Sequence, residues 1–169
     1  MRNTLIMLFL LAFCSVVCAE NIVKIMPDEL LQIAAKCNCE QVDDFYNRPG
    51  MIDPPYVYGF LPGEQENSAV FWCREKNAAK RYLLVLASRR SFSDDWTYEI
   101  IIKTENHSRG LSIVKNCKIT LDKFSYISSP KKRGPKGVLP VANVILSTYD
   151  GVSEYYYNHK GSWLISIWH

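Results

Sequence analysis

The sequence predicts an α+β domain: a strongly curled antiparallel sheet of about seven to nine strands, with one short N-terminal helix packed on it. Three observations carry that prediction. Ten tyrosines and four tryptophans supply bulky rings that pack well on a pleated face. From Tyr56 onward, short apolar or alternating runs are separated by Gly, Pro, Asn and Asp turn signals. A helical apolar period occurs once, between Pro27 and Cys37.

The helix is expected from Pro27 to Lys36. Proline suits a first helical position, and Asp28 and Glu29 complement the positive end of the helix dipole. Leu30, Ile33, Ala34 and Cys37 fall on one face, which would carry Cys37 into the core. Asp43 to Pro55 reads as a loop. Strands follow at Tyr56–Leu61, Ala69–Arg74 and Arg81–Ser88, the last apolar on both faces and therefore central. Along Trp96–Lys103, alternation predicts Trp96, Tyr98, Ile100 and Ile102 on one face. Leu111–Val114 and Cys117–Ile127 are less regular. The C-terminal part reads as a three-stranded meander of Val141–Tyr149, Val152–Tyr157 and Ser162–Trp168. Asp150-Gly151 forms its first turn, because type I′ turns need positive φ.

Residues 1–19 have the layout of a secretory signal peptide. Arg2 precedes an apolar core from Leu5 to Phe13, and Val17-Cys18-Ala19 offers a cleavage site. The run is shorter than the ~20 residues a spanning helix needs. A lipid anchor on Cys18 is the weaker alternative, because Leu is missing three positions before it and Val17 replaces a small residue. The expectation is a single domain over 20–169, periplasmic or secreted, with no membrane span. The Asn106-His107-Ser108 sequon matters only in a host that glycosylates exported chains.

Four cysteines remain beyond the leader: Cys37, Cys39, Cys73 and Cys117. An even number in an exported chain predicts two disulfides. A Cys37–Cys39 bridge would strain the bond, so one of the pair is expected to reach Cys73 and the other Cys117. The spacing lacks the paired Cys-x-x-Cys of zinc ribbons, and no metal site or cofactor is expected.

Charge is segregated along the chain. Glu20–Val70 holds nine acids against three bases, whereas Phe71–His169 holds eight acids against sixteen bases. The simpler reading is that acidic and basic faces lie against each other or are solvated; the sharper one is a polarised surface that steers a charged partner.

No catalytic constellation stands out. The sequence has no Gly-x-Ser-x-Gly elbow, no His-Glu-x-x-His, no phosphate-binding loop and no dinucleotide fingerprint. His107 and His159 fall in turns and His169 is the last residue. Adjacent acids such as Asp94-Asp95 point apart on a strand. The acidic segment Glu40–Glu66 lacks the one-residue ligand spacing of a calcium loop.

Binding features are clearer. Lys131, Lys132, Arg133 and Lys136 form a basic loop able to grip carboxylates or phosphates. Tyr155-Tyr156-Tyr157, Trp163 and Trp168 place rings on both faces of their strands. Tyr155, Tyr157 and Trp163 are therefore candidate interface anchors. The expected function is a non-enzymatic exported binding protein, an inhibitor or immunity protein that blocks a toxin or wall-degrading enzyme by steric occlusion. One alternative is a module for an envelope polysaccharide or an anionic lipid surface; another is a hydrolase whose acids converge only in the fold. Nothing points to a nucleic-acid partner.

Overall fold

The computed structural model describes residues 26–42, 55–59, 67–78, 80–89, 95–105, 110–149 and 151–168. The leader, Asp43, Asp44, Asp53, Glu64 and Glu66 of the acidic segment, Asp94, the Asn106 sequon, His107 and His169 lie outside the described residues.

The helix, α1, runs over Asp28–Lys36 with Pro27 just before its first turn. Leu30, Ile33, Ala34 and Cys37 are buried, as the apolar period requires. The helix ends where Asn38 adopts a left-handed φ of 57°, a conformation Asn tolerates better than most residues. Asn38 donates its N–H to the Ala35 carbonyl, and its own carbonyl accepts from Lys76. That turn delivers Cys39 straight into a strand.

Eleven strands are found among the described residues, arranged as two antiparallel sheets rather than one sheet of roughly seven to nine. The first contains β1 (Cys39–Glu40), β2 (Tyr56–Tyr58), β3 (Asn67–Glu75), β4 (Tyr82–Arg89) and β5 (Trp96–Thr104). Its order is β1-β3-β4-β5, with β2 pairing farther along the same edge of β3. Strand β4 is central, and Leu83 to Ala87 are all buried.

The second sheet contains β6 (Gly110–Thr120), β7 (Ser125–Tyr126), β8 (Ser129–Arg133), β9 (Val138–Tyr149), β10 (Val152–His159) and β11 (Ser162–Trp168). Its order is β6-β9-β10-β11-β7-β8, and it curls so that side chains from its own strands pack on one another. The C-terminal meander forms as expected. Gly151 (φ 81°) serves its first turn, while Lys160 (φ 51°) and Gly161 (φ 80°) serve its second.

Alternation fails at one place. Leu84 pairs with Ile102 but Val85 with Ile100, so Ile101 is the extra residue of a bulge. The bulge reverses the facing of everything beyond it. Ile100 packs on the helix side, while Ile101 and Ile102 pack between the sheets.

Three cores result. One lies between α1 and the first sheet, around Phe71, Leu83 and Val85. The second lies between the two sheets, where Trp72 and Leu84 meet Ile145, Tyr156 and Trp163. The third fills the curl of the second sheet, around Leu121, Phe124, Val144 and Leu164. Within the inter-sheet core, Trp72 Nε1 donates to Ser147 Oγ (3.1 Å), which donates to the Gly110 carbonyl (3.3 Å). Ser147→Ala is expected to cost about 1–3 kcal/mol by orphaning a buried N–H. Adding Trp72→Phe should then cost less than it does alone, as urea unfolding of the four-member cycle will read.

The cysteine expectation is corrected. Among the described residues there is one disulfide, Cys39–Cys73, while Cys37 and Cys117 are free thiols. Cys37 and Cys73 do share the helix-side core, but Cys39 takes Cys73 as its partner. Cys117 lies against the core of the curled sheet, with the first sheet and the inter-sheet core between it and Cys37. Two disulfides would require bonding across those layers.

Burial pushes the Cys37 thiol up from 9.0 to about 11. The folded state therefore keeps a proton that the unfolded chain releases between pH 9 and 11, so stability should fall as pH rises through that window. Urea midpoints on either side of the window should fall less steeply in Cys37→Ala than in the parent.

Candidate binding face on the curled sheet

In the first sheet, bases meet acids. Arg74 binds Glu40 at 2.6 Å, and Glu75 accepts from Arg81 at 3.0 Å and from Lys103 at 3.2 Å. The Arg81 and Lys103 contacts hold the Glu75 carboxyl below the ordinary carboxylate range. The second sheet is built differently. Residues 110–138 carry seven bases (Lys115, Lys118, Lys123, Lys131, Lys132, Arg133 and Lys136) against one acid, Asp122. Among the described residues, none of these bases pairs with a carboxylate.

The basic segment is not the loop that its composition predicts. Ser129–Arg133 is β8, the outermost strand of the second sheet, exposed along its length and paired with β7. Backbone hydrogen bonds anchor the chain that follows it. Gly134 N–H donates to the Phe124 carbonyl at 2.7 Å, and Leu121 N–H donates to the Gly137 carbonyl at 2.9 Å. Position 134 needs glycine, because a Cβ there would collide with the Leu121 carbonyl oxygen. Lys132 Nζ sits 5.2 Å from the centre of the Tyr126 ring, a cation–π contact that orients it. Alternation points Lys131 and Arg133 away from Lys132. Lysines and a proline on an edge strand also resist sheet-to-sheet aggregation, so these charges keep the edge soluble as well as presenting it.

The aromatic candidates separate. Trp163 is buried in the inter-sheet core, and its Nε1 is a buried donor without an acceptor among the described residues. Tyr157 is buried in the core of the curl. Tyr156, opposite in facing, donates to Glu154 at 2.6 Å. Of the three anchor candidates, Tyr155 lines a cavity formed by described residues, together with Trp168, which is 55% exposed.

That cavity is a groove of about 300 Å³ on the face of the curled sheet turned away from the first sheet. Its apolar surface comes from Val114, Ile119, Phe124, Val144, Tyr155 and Trp168. Among the described residues that line it, Lys118 and Lys123 are the charged members and none is an acid. Lys123 Nζ lies 5.9 Å from the Trp168 ring centre. Lys123 and Phe124 are placed there by a 3₁₀ turn, Leu121–Lys123, and the residue after it. The sequence reading missed Lys118 and Lys123; the signal that identifies them is the excess of bases between Gly110 and Val138.

Among the described residues no cluster of His, Cys, Asp and Glu is arranged to hold a metal ion, and no helix is long and apolar enough to cross a membrane. No family model matches the chain, and no match is found among curated proteins or solved structures.

Proposed function

We propose that the chain is an exported, non-enzymatic binding protein that occupies an acidic partner protein, as an inhibitor or immunity protein does. The observation that carries this reading is the fixed basic strand: Lys131, Lys132 and Arg133 stand exposed on β8, whose following turn is tied to the 3₁₀ segment. A strand presents charge with less ordering cost on binding than a mobile loop would. Arg133 suits bidentate pairing with a carboxylate, and the lysines act as point charges that speed encounter. Lys136 extends the patch into the adjoining turn.

The Met1–Ala19 leader and the Cys39–Cys73 bridge support an oxidising, extracytoplasmic destination. Occlusion of a toxin or wall-degrading enzyme is the simplest action for a domain that presents a charged face. The test is capture by the tagged protein from envelope and secreted fractions of its host and competitors. The reading expects one acidic protein held one-to-one, whose activity falls as the complex forms. Capture of polysaccharide or anionic lipid alone would overturn it in favour of an envelope-binding module.

A further inference from the structure

We infer that the groove of the curled sheet is a binding site for a single-chain amphiphile with an anionic head, a ligand class separate from the protein partner proposed above. The groove's shape and lining select this occupant. At about 300 Å³ it is at the small end of ligand pockets and takes a narrow chain rather than a folded element. Its floor is aliphatic and aromatic, formed by Val114, Ile119, Phe124, Val144 and Tyr155.

Several of the polar groups at the groove are engaged by the protein itself, Thr120 and the two lysines apart. Ser166 Oγ donates to the Lys123 carbonyl at 3.3 Å and accepts from Trp168 Nε1 at 3.0 Å. The Cys117 thiol contacts the Ala142 carbonyl at 3.2 Å. A sugar, which needs many hydrogen-bonding partners, finds few here. What the lining offers a ligand is apolar surface and two cationic residues, Lys118 and Lys123, with no carboxylate among its described residues to repel an anion. A hydrocarbon chain along the floor with its head at these lysines satisfies both. Trp168, half-exposed at the same lining, covers the chain where it emerges.

The site uses neither β8 nor Lys136, so its failure leaves the protein-partner reading standing, and the converse holds. The probes are saturated fatty carboxylates of increasing length, titrated below their micelle concentrations into the full protein and read by calorimetry. A brominated analogue reads proximity by quenching tryptophan fluorescence. Affinity should rise about fourfold for each CH₂ added until the groove is full. The alcohol of the same length should bind at least about tenfold more weakly, and so should the carboxylate to the Lys118→Gln/Lys123→Gln variant. Trp168→Phe should remove most of the quenching, whereas Lys36→Gln, a charge change on α1, should alter nothing. Thermal midpoints confirm that each variant is folded.

Absence of binding by the parent protein would overturn the inference. So would equal affinity for acid and alcohol, quenching that survives Trp168→Phe, or binding confined to anionic vesicles.

Discussion

Cys73→Ala is expected to destabilise the protein by about 4 kcal/mol, the largest loss from any single cysteine. The Cys39–Cys73 bridge closes a sequence separation of 34 residues, for which the chain-entropy relation gives roughly that value. Both sulfurs lie in the helix-side core, so Cys39→Ala should match it. The bridge links β1 to β3 directly after the Asn38 turn, and so fastens α1 to the first sheet. Cys117→Ala, by contrast, removes a half-buried thiol that closes no ring, and should cost less than about 1 kcal/mol. Urea unfolding of the three variants will read the difference. Equal losses at Cys73 and Cys117 would mean that a second bridge exists after all.

Reversing Lys131, Lys132 and Arg133 to glutamate should slow association with the partner by about two orders of magnitude. The three side chains are exposed on an edge strand, so the fold should tolerate the change. The parent rate should drop steeply with added salt, because electrostatic steering acts over about 10 Å at 0.1 M ionic strength. The reversed variant should lose that dependence. Stopped-flow rates at several salt concentrations will distinguish this from a contact that only slows dissociation.

Much of the architecture is legible in the sequence because its signals are local. The spacing of Leu30, Ile33, Ala34 and Cys37 specifies the buried face of α1, and the glycine of the Asp-Gly pair marks the hairpin between Tyr149 and Val152. Signals that depend on distant partners are not legible. Nothing local says that Ile101 will bulge and turn Ile102 to the opposite core. Nor does cysteine spacing reveal that two packed layers separate Cys37 from Cys117. The basic run is visible in the sequence, but its turn-forming residues predict a loop. Its strand conformation depends on pairing with β7, and the turn after it on a close backbone approach at Gly134 that a side chain would block. The groove was hidden for the same reason. Lys118, Lys123, Tyr155 and Trp168 come from separate elements and meet only when the sheet curls.

The claim that the basic face is the docking surface is tested most directly by hydrogen exchange of the one-to-one complex against the free protein. Protection is predicted over β7, β8 and the Gly134–Gly137 turn, with α1 and the first sheet unchanged. Protection confined to the helix side, with β8 exchanging as in the free protein, would contradict it.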